Sequence, residues 1–326
     1  MTSPETPSAG AESDCLRVGV VGTGYLGKFH AKIYNELPDV DLVGIVDVNE
    51  AAARAVAKEC GDCPTFTDSS ELLDRVDAVS IVVPTELHLE VARPFLEKGI
   101  HMLLEKPVAP SYEESLKIVE LAEKSGAILQ IGHLERYNAG VMALAERVKA
   151  PRFIEVHRLG PFVARATDVD VVTDLMIHDI DIVMELVGSP IRNLSAMGTP
   201  VITNHVDIAN ARIEFENGAV ANVSASRVSN KKFRRIRVFE PKHYYGLDYA
   251  DQRLDVVTAQ HKGDQEWPEI VTEQIEIEPR LPLNAELEDF INTIRNGGTP
   301  LVTGRVGLEA LRVALLVKEK MAACLP

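Results

Sequence analysis

The sequence predicts an α/β protein with a doubly wound parallel sheet, followed by a second, α+β domain. Three observations predict it. Short apolar runs alternate with helical patterns from Leu16 to Ile131, the signature of strand–helix alternation. A glycine-rich turn, Gly22-Thr23-Gly24-Tyr25-Leu26-Gly27, joins the first run to the first helical pattern. Beyond Pro151 β-type runs dominate, and two helical patterns close the chain. The 326 residues suffice for two domains with real cores. A composition 46% apolar and 25% charged is globular. The net charge of -15 argues against a nucleic-acid or anionic-membrane binder, since both need a positive field. No apolar run approaches a membrane span.

Residues 1–15 read as a disordered tail, because Met1 to Asp14 is Ser, Thr, Pro, Glu and Ala without the apolar core of a secretory signal. Leu16–Val21 is a buried strand, the glycine turn follows at once, and a helix runs through Leu37. Leu42–Asp47 is the second strand. This is the dinucleotide-binding, Rossmann fingerprint in the context that confirms it. Gly22 makes the tight turn, Gly24 lets backbone approach a pyrophosphate at the helix N-terminus, and Gly27 lets helix pack on strand. Asp47 stands twenty residues after Gly27. A carboxylate there accepts from the adenosine ribose hydroxyls and repels a 2′-phosphate, so NAD is expected over NADP.

The alternation continues: helix Glu50–Glu59, a short strand at Thr65-Phe66, helix Ser69–Arg75, strand Ala78–Val83, helix Glu86–Lys98, strand His101–Leu104, helix Tyr112–Lys124 and strand Ala127–Ile131. In such sheets ligands bind at the carboxyl ends of strands. Two loops lie there, Pro84-Thr85-Glu86-Leu87-His88 and Glu105-Lys106-Pro107. Lys106 is expected to point into the cofactor crevice, and Pro107 fixes the turn and can be cis. The Rossmann domain is taken as 16–133 and the second domain as 134–326.

In the second domain one more helix runs to about Lys149, and Phe153–Arg158 is a strand. The stretch Asp174–Val187 reads as one helix, apolar almost all round apart from Asp179 and one stripe. At about 100° per residue, Asp174, His178, Asp181 and Glu185 fall within roughly 60°. Buried carboxylates and imidazoles are costly unless paired, so the stripe is expected to line a cleft. Val206–Glu216 and Ala219–Val228 flank Asn217-Gly218, a hairpin signal. Lys231–Phe239, Tyr244–Tyr249, Arg253–Thr258 and Ile270–Ile277 are further strands, joined in sequence and so antiparallel, and helices Ala285–Arg295 and Arg305–Ala323 follow.

The basic run Lys231-Lys232-Phe233-Arg234-Arg235-Ile236-Arg237, with Arg227, could meet an anionic substrate such as a diphosphate. Strand alternation, however, would split these charges between two faces, where salt bridges could absorb them. The four cysteines (Cys15, Cys60, Cys63, Cys324) lack a second C-x-x-C pair and read as free thiols of a cytoplasmic protein.

The glycine turn, the Glu105-Lys106-Pro107 tripeptide and the Asp174-x-x-x-His178-x-x-Asp181 helix together resemble the glucose–fructose oxidoreductase / inositol dehydrogenase / MocA family over the whole chain after the tail. That resemblance implies an NAD-binding Rossmann domain and a C-terminal domain with an open, mainly antiparallel sheet that commonly builds homodimers or homotetramers. It maps catalytic roles onto Lys106, Asp174 and His178. It puts Pro84 and His88 near the nicotinamide, and Thr85 and Glu105 join Gly22, Thr23, Gly24, Tyr25, Leu26, Gly27 and Asp47 as cofactor-binding candidates. Gly132–Asn138, Asp168–Val172, Asp207–Arg212 and Ser226–Ser229 look similar to a subgroup acting on a nucleotide sugar ahead of transamination in lipid A synthesis. Arg136, Tyr137, Arg165, Asp181 and Arg227 are then the substrate-binding candidates.

The chemistry implied is oxidation of a sugar hydroxyl, with hydride leaving for the nicotinamide. Either His178 or Lys106 could take the hydroxyl proton, and Asp174 or Asp181 could orient the imidazole. Three other readings compete. Another sugar or inositol dehydrogenase would share the machinery. A non-catalytic NAD-binding regulator would need neither Lys106 nor His178. A metal-dependent hydrolase could use Asp174, His178, Asp181 and Glu185 as ligands, but Lys106 beside them would repel a cation. No metal is therefore expected.

Overall fold

The computed structural model describes residues 15–163, 169–261 and 266–322. Arg165, Asp168, Cys324 and all of the expected tail except Cys15 lie outside the described residues. The described chain falls into two compact units, dividing between Val82 and Val83.

The first unit contains β1 (Leu16–Val21), α1 (Gly27–Glu36), β2 (Val40–Val46), α2 (Glu50–Lys58), β3 (Thr65–Phe66) and β4 (Ala78–Ile81). Its strands are parallel, β1 lying between β2 and β4 and β2 carrying β3 on its other edge. Val18, Val20, Ile45, Val79 and Ile81 are buried, as fits strands covered on both faces. Asn49 caps α2 by accepting from Ala52 N at 3.2 Å. The helix expected over Ser69–Arg75 is instead a 3₁₀ turn, Ser69–Leu72. Its start is held by Asp68, whose side chain accepts from Ser70 N, and four residues are too few to close an α-helical ladder. Cys60 and Cys63 are buried free thiols, and burial pushes Cys63 up to about 12, so it is not a reactive thiolate.

The second unit opens with α3 (His88–Glu97), β5 (His101–Glu105), α4 (Tyr112–Ser125) and β6 (Leu129–Gly132), with β5 and β6 parallel. Then follow α5 (Ala139–Arg147), β7 (Phe153–Leu159), a π-helical turn (Val172–Met176) and α6 (Ile177–Val187). The rest comprises β8 (Ile191–Thr199), β9 (Ile208–Phe215), β10 (Val220–Ser226), β11 (Phe233–Glu240), β12 (His243–Asp248), β13 (Arg253–Gln260), β14 (Glu269–Ile275), α7 (Pro282–Asn296) and α8 (Gly304–Ala322). The eight strands β7 to β14 form one sheet, in the order β14-β13-β12-β11-β7-β10-β9-β8. The expected β9–β10 hairpin is present, with Gly218 at φ 84° and Asn217 accepting from Ala219 N. All neighbours are antiparallel except β7 and β10, because β7, the first strand in sequence, inserts between β10 and β11. Burial alternates along β9 and β10, and α5, α6 and α8 share a core with the buried face through Leu144, Ile180, Val183, Leu311 and Val317.

Against this core α7 carries a fully buried acid, Glu286, whose two carboxylate oxygens have no hydrogen-bond partner among the described residues. Burial, with Glu105 and Asp289 nearby, holds it well above the ordinary value of 4.5. The folded state therefore keeps a proton that the unfolded chain releases. Stability is lost as pH rises from 4.5 towards the raised folded value. Glu286→Gln is expected to flatten this fall by up to about 1.4 kcal/mol per pH unit, read from urea unfolding at several pH values. Parallel pH profiles in the two proteins would contradict it.

Candidate active site

The glycine turn leaves β1 at Gly22, whose φ of 97° lies where side-chain-bearing residues are strained. A Cβ at Gly27 would lie 1.9 Å from the Gly22 carbonyl oxygen, so helix and strand meet there only as glycine. A Cβ at Gly24 would meet nothing within 4 Å, which leaves backbone open to a ligand. α1 has no side-chain cap; Lys28 N and Phe29 N donate to the Gly24 and Leu26 carbonyls instead. Asp47 follows β2 and accepts from Thr23 N at 2.8 Å, Thr23 Oγ1 at 2.6 Å and Asn49 N at 2.9 Å. Burial would raise this carboxyl, but those hydrogen bonds outweigh it and hold it below the ordinary value. The residues present thus fit a dinucleotide, with a fixed carboxylate at the ribose end. Asp47→Ala is expected to erode the preference for NAD over NADP, measured by calorimetry of both cofactors. Tighter NADP binding by the unmodified protein would contradict the reading.

In the second unit Pro84 and Thr85 open a 3₁₀ turn ahead of α3. His88 is buried, and its Nδ1 and Nε2 each lie 3.1 Å from a backbone carbonyl, of Val108 and Val83 respectively. Burial lowers the ring below its ordinary value, so as a neutral imidazole it donates to one of these carbonyls and is anchored in its own loop. Glu105 ends β5 and lies over Gly132, where a Cβ would come within 2.9 Å of its carboxylate. The Lys106–Pro107 bond is cis. Lys106 Nζ donates to the Asp174 carbonyl at 2.8 Å and stands 3.8 Å from its carboxylate.

Asp174 does not belong to the α-helix of the sequence pattern. It sits in the π turn, where Asp170 Oδ1 accepts from Val172 N and Thr173 N, and Lys318 holds the other oxygen at 2.8 Å. His178, in the first turn of α6, is nearly buried, and its Nδ1 has no hydrogen-bond partner among the described residues. Nε2 is left as the ring nitrogen open to a reactant. Neither Asp174 nor Asp181 hydrogen-bonds the imidazole. The ring instead meets His133 edge-on at 5.9 Å. Burial, then the charges of Lys106, Arg158 and Arg234, depress His178 well below 6.5. Burial, Lys106 and Arg136 take His133 to about 3. Both imidazoles are neutral at physiological pH.

The rest of the polar stripe turns inward. Asp181 is buried, 3.8 Å from Arg136 Nε and 4.0 Å from His133 Nδ1. Burial pushes its carboxyl up to about 7, opposed by Arg136 and aided by Glu185. Arg136 Nη2 is 3.0 Å from Glu185, and Tyr137 OH donates to Asp289 at 2.8 Å, towards α7. Arg136, Tyr137 and Asp181 are thus all buried, with Arg136 also lining a cavity between α5 and α6. The four carboxylate and imidazole groups of the stripe do not converge, and among the described residues no such cluster could hold a metal.

Sequence reasoning missed a buried ion-pair centre. Arg158, on β7, donates two hydrogen bonds to Asp179, at 2.7 and 2.8 Å, and a third to Glu135 at 2.7 Å. The lone acid on the apolar flank of the helix was the available signal. Beside this centre lies a cavity of about 300 Å³, lined in part by Gly160, Asp174, Ser226, Arg227, Lys232 and Arg234. Arg227 donates to the Val169 carbonyl at 2.6 Å, and Arg234 pairs with Glu135 at 3.4 Å. The basic run does split by strand alternation: Arg235 donates to the Tyr244 hydroxyl and Arg237 pairs with Glu155, while Lys232 and Arg234 line the cavity.

A glycine turn with a fixed carboxylate, and separately a neutral histidine and a lysine held by Asp174 at the cavity lining, fit an NAD-dependent oxidoreductase. The chain belongs to the GFO/IDH/MocA oxidoreductase family. Residues 16–133 match the model of the oxidoreductase family with an NAD-binding Rossmann fold, and residues 148–242 match the GFO/IDH/MocA C-terminal domain. The chain is 37% identical to the UDP-N-acetylglucosamine 3-dehydrogenase of Acidithiobacillus ferrooxidans over 95% of this chain and 98% of that protein. A crystal structure under that name, from the same organism, superposes with a TM-score of 0.89 at 36% identity, covering 94% of this chain and 98% of that one. A scyllo-inositol 2-dehydrogenase (NAD(+)) of Bacillus subtilis is 29% identical over 88% of this chain and 89% of that protein.

Proposed function

We propose that the protein oxidises a secondary ring hydroxyl of a nucleotide sugar to a ketone, and that its substrate is UDP-N-acetylglucosamine, oxidised at C3. The observation that carries this reading is the cavity beside Asp174. It gathers Arg227, Lys232 and Arg234; Arg227 pairs with Asp207 and Arg234 with Glu135, so Lys232, with the outer faces of the two arginines, is the part that suits an anionic diphosphate. The relationship to the 3-dehydrogenase supports the same substrate.

Residues 16–133 would act as the cofactor domain and 134–326 as the substrate domain. The Gly22–Gly27 turn, with Thr23, Tyr25 and Leu26, and Asp47 would hold NAD, which when bound supplies the carbon that accepts the hydride. Thr85 and Glu105 would flank it at strand ends. His178 Nε2 takes the hydroxyl proton, since the imidazole starts neutral. Lys106 Nζ donates to the same oxygen and stabilises its developing negative charge. Asp174 holds the lysine and accepts from a neighbouring hydroxyl. The ketone product suits an aminotransferase, which fits a place in lipid A diamino-sugar synthesis in the cytoplasm. Met197 and Ile208, exposed on the C-terminal sheet, fit a homo-oligomeric contact there.

The test is incubation with NAD and UDP-N-acetylglucosamine, with mass spectrometry for loss of two hydrogens, alongside free N-acetylglucosamine and inositols. Lys232→Ala is expected to raise KM for the nucleotide sugar by about tenfold, the scale of one charged hydrogen bond. Oxidation of an inositol or free sugar with equal or higher kcat/KM would overturn the reading.

A further inference from the structure

Each turnover leaves one proton on His178, and the chemistry above gives no route for its departure. It also leaves a file of buried polar side chains without a task. His133 follows β6 and is almost fully buried, and neither ring nitrogen has a hydrogen-bond partner among the described residues. The same holds for His178 Nδ1, Asp181 Oδ2 and Arg136 Nη1. Burying one such atom unpaired is costly, and α6, apart from Asp179 and Glu185, is otherwise built of Ile, Val, Leu and Met, any of which would fill this space more cheaply. Their order in space is continuous. His178 meets His133 edge-on at 5.9 Å, and His133 Nδ1 is 4.0 Å from Asp181 Oδ2. Asp181 Oδ2 is 3.8 Å from Arg136 Nε, and Arg136 Nη2 is 3.0 Å from Glu185. The Glu185 side chain is 51% exposed and, with Arg136, lines a second cavity of about 300 Å³ between α5 and α6.

We propose that His133 and Asp181 carry the substrate proton from His178 to the surface beside Arg136 and Glu185. This rests on the assignment of His178 as the base. An imidazole can receive a proton at one nitrogen and release one from the other. His178 gains the hydroxyl proton at Nε2 and passes one from Nδ1 to His133. His133 passes one from Nδ1 to the Asp181 carboxylate, which releases it to solvent at the Arg136–Glu185 end. One proton enters, one leaves, and ring flips reset the tautomers. The His178 and His133 rings are in edge contact, and the 4.0 Å between His133 Nδ1 and Asp181 Oδ2 is one small side-chain movement or one bridging water from a hydrogen bond.

The surrounding charges favour onward transfer. Lys106, Arg158, Arg234 and His133 face His178, and Lys106 and Arg136 face His133, so neither imidazolium persists. Asp181 faces Arg136, His133 and Glu185, and at about 7 it can both accept and release near neutrality. Asp181 and His133 are positioning residues in this scheme, acting on substrate only through His178.

Asp181→Asn keeps shape and removes the proton carrier. Expected are a fall in kcat of about tenfold with unchanged KM for UDP-N-acetylglucosamine, a larger solvent deuterium isotope effect, and recovery of kcat on adding imidazole buffer at neutral pH. His133→Asn, which interrupts the file one step earlier, should behave alike and decides the matter alone if Asp181→Asn does not fold. Unchanged kcat and isotope effect, or a loss that no buffer restores, would overturn the relay. An unmodified protein that fails to reduce NAD with this sugar, or a His178→Ala variant with full turnover, would instead sink the reading beneath it.

Discussion

Lys106→Ala and His178→Ala are each expected to lower kcat by about 10² or more while leaving NAD affinity unchanged by calorimetry. In the proposed mechanism His178 would supply the ring nitrogen that takes the proton, and Lys106 the cation that the forming alkoxide needs. The two losses should differ in their pH dependence. Lys106 is, after burial, the largest influence depressing His178. Removing it lets the imidazole rise towards its ordinary value. The acid limb of kcat/KM in the residual activity of Lys106→Ala therefore moves to higher pH, because the base becomes protonated sooner as pH falls. Near-normal turnover in both variants would remove the assignment. A limb that stays in place would remove the electrostatic link between the two residues.

Arg158→Ala is expected to cost about 3–5 kcal/mol in urea unfolding, the scale for breaking a buried ion pair from one side. The guanidinium lies 5.3 Å from the Tyr249 ring and is the hydrogen-bonded partner of both Asp179, which is fully buried, and Glu135. Truncation leaves buried Asp179 with a long hydrogen bond from the Tyr249 hydroxyl and Glu135 with its 3.4 Å contact to Arg234. Even with Arg158 in place, burial holds Asp179 above its usual value. The control is Arg158→Met with Asp179→Leu, which removes charge together with counter-charge and should cost clearly less than the single change. A single-variant loss below about 1 kcal/mol would show that the pair is not sealed from water.

Local chemistry in the sequence carried the cofactor half of this molecule. Glycine spacing, a strand on either side and Asp47 at its offset are all determined within thirty-odd residues, and the structure places them together. Lys106 and the Asp174–His178 pair were likewise legible as residue types. Their partners were not, because those come from distant segments. Nothing near Asp179 in sequence announces Arg158, and nothing near His178 announces His133. The insertion of β7 between β10 and β11 is equally non-local: hairpin signals report pairing between successive strands only. The polar stripe was legible as unusual, but the surroundings of its members were not. Its first member faces a cavity, while Asp181 is enclosed by Arg136 and His133.

The π turn at Val172–Met176 looks helical to any reading of hydrophobic period, since five residues are too few to distinguish one helical pitch from another. Yet it fixes where Asp174 stands. In a continuous α-helix each residue advances by about 100°, so losing one residue between Asp174 and His178 would swing the aspartate by that much about the axis. Its carbonyl would leave Lys106 and its carboxylate would leave the cavity edge. Residue count, as well as residue identity, therefore sets where Asp174 stands. Substitutions there test packing, whereas a one-residue deletion would retune the distance between acid and base without touching either.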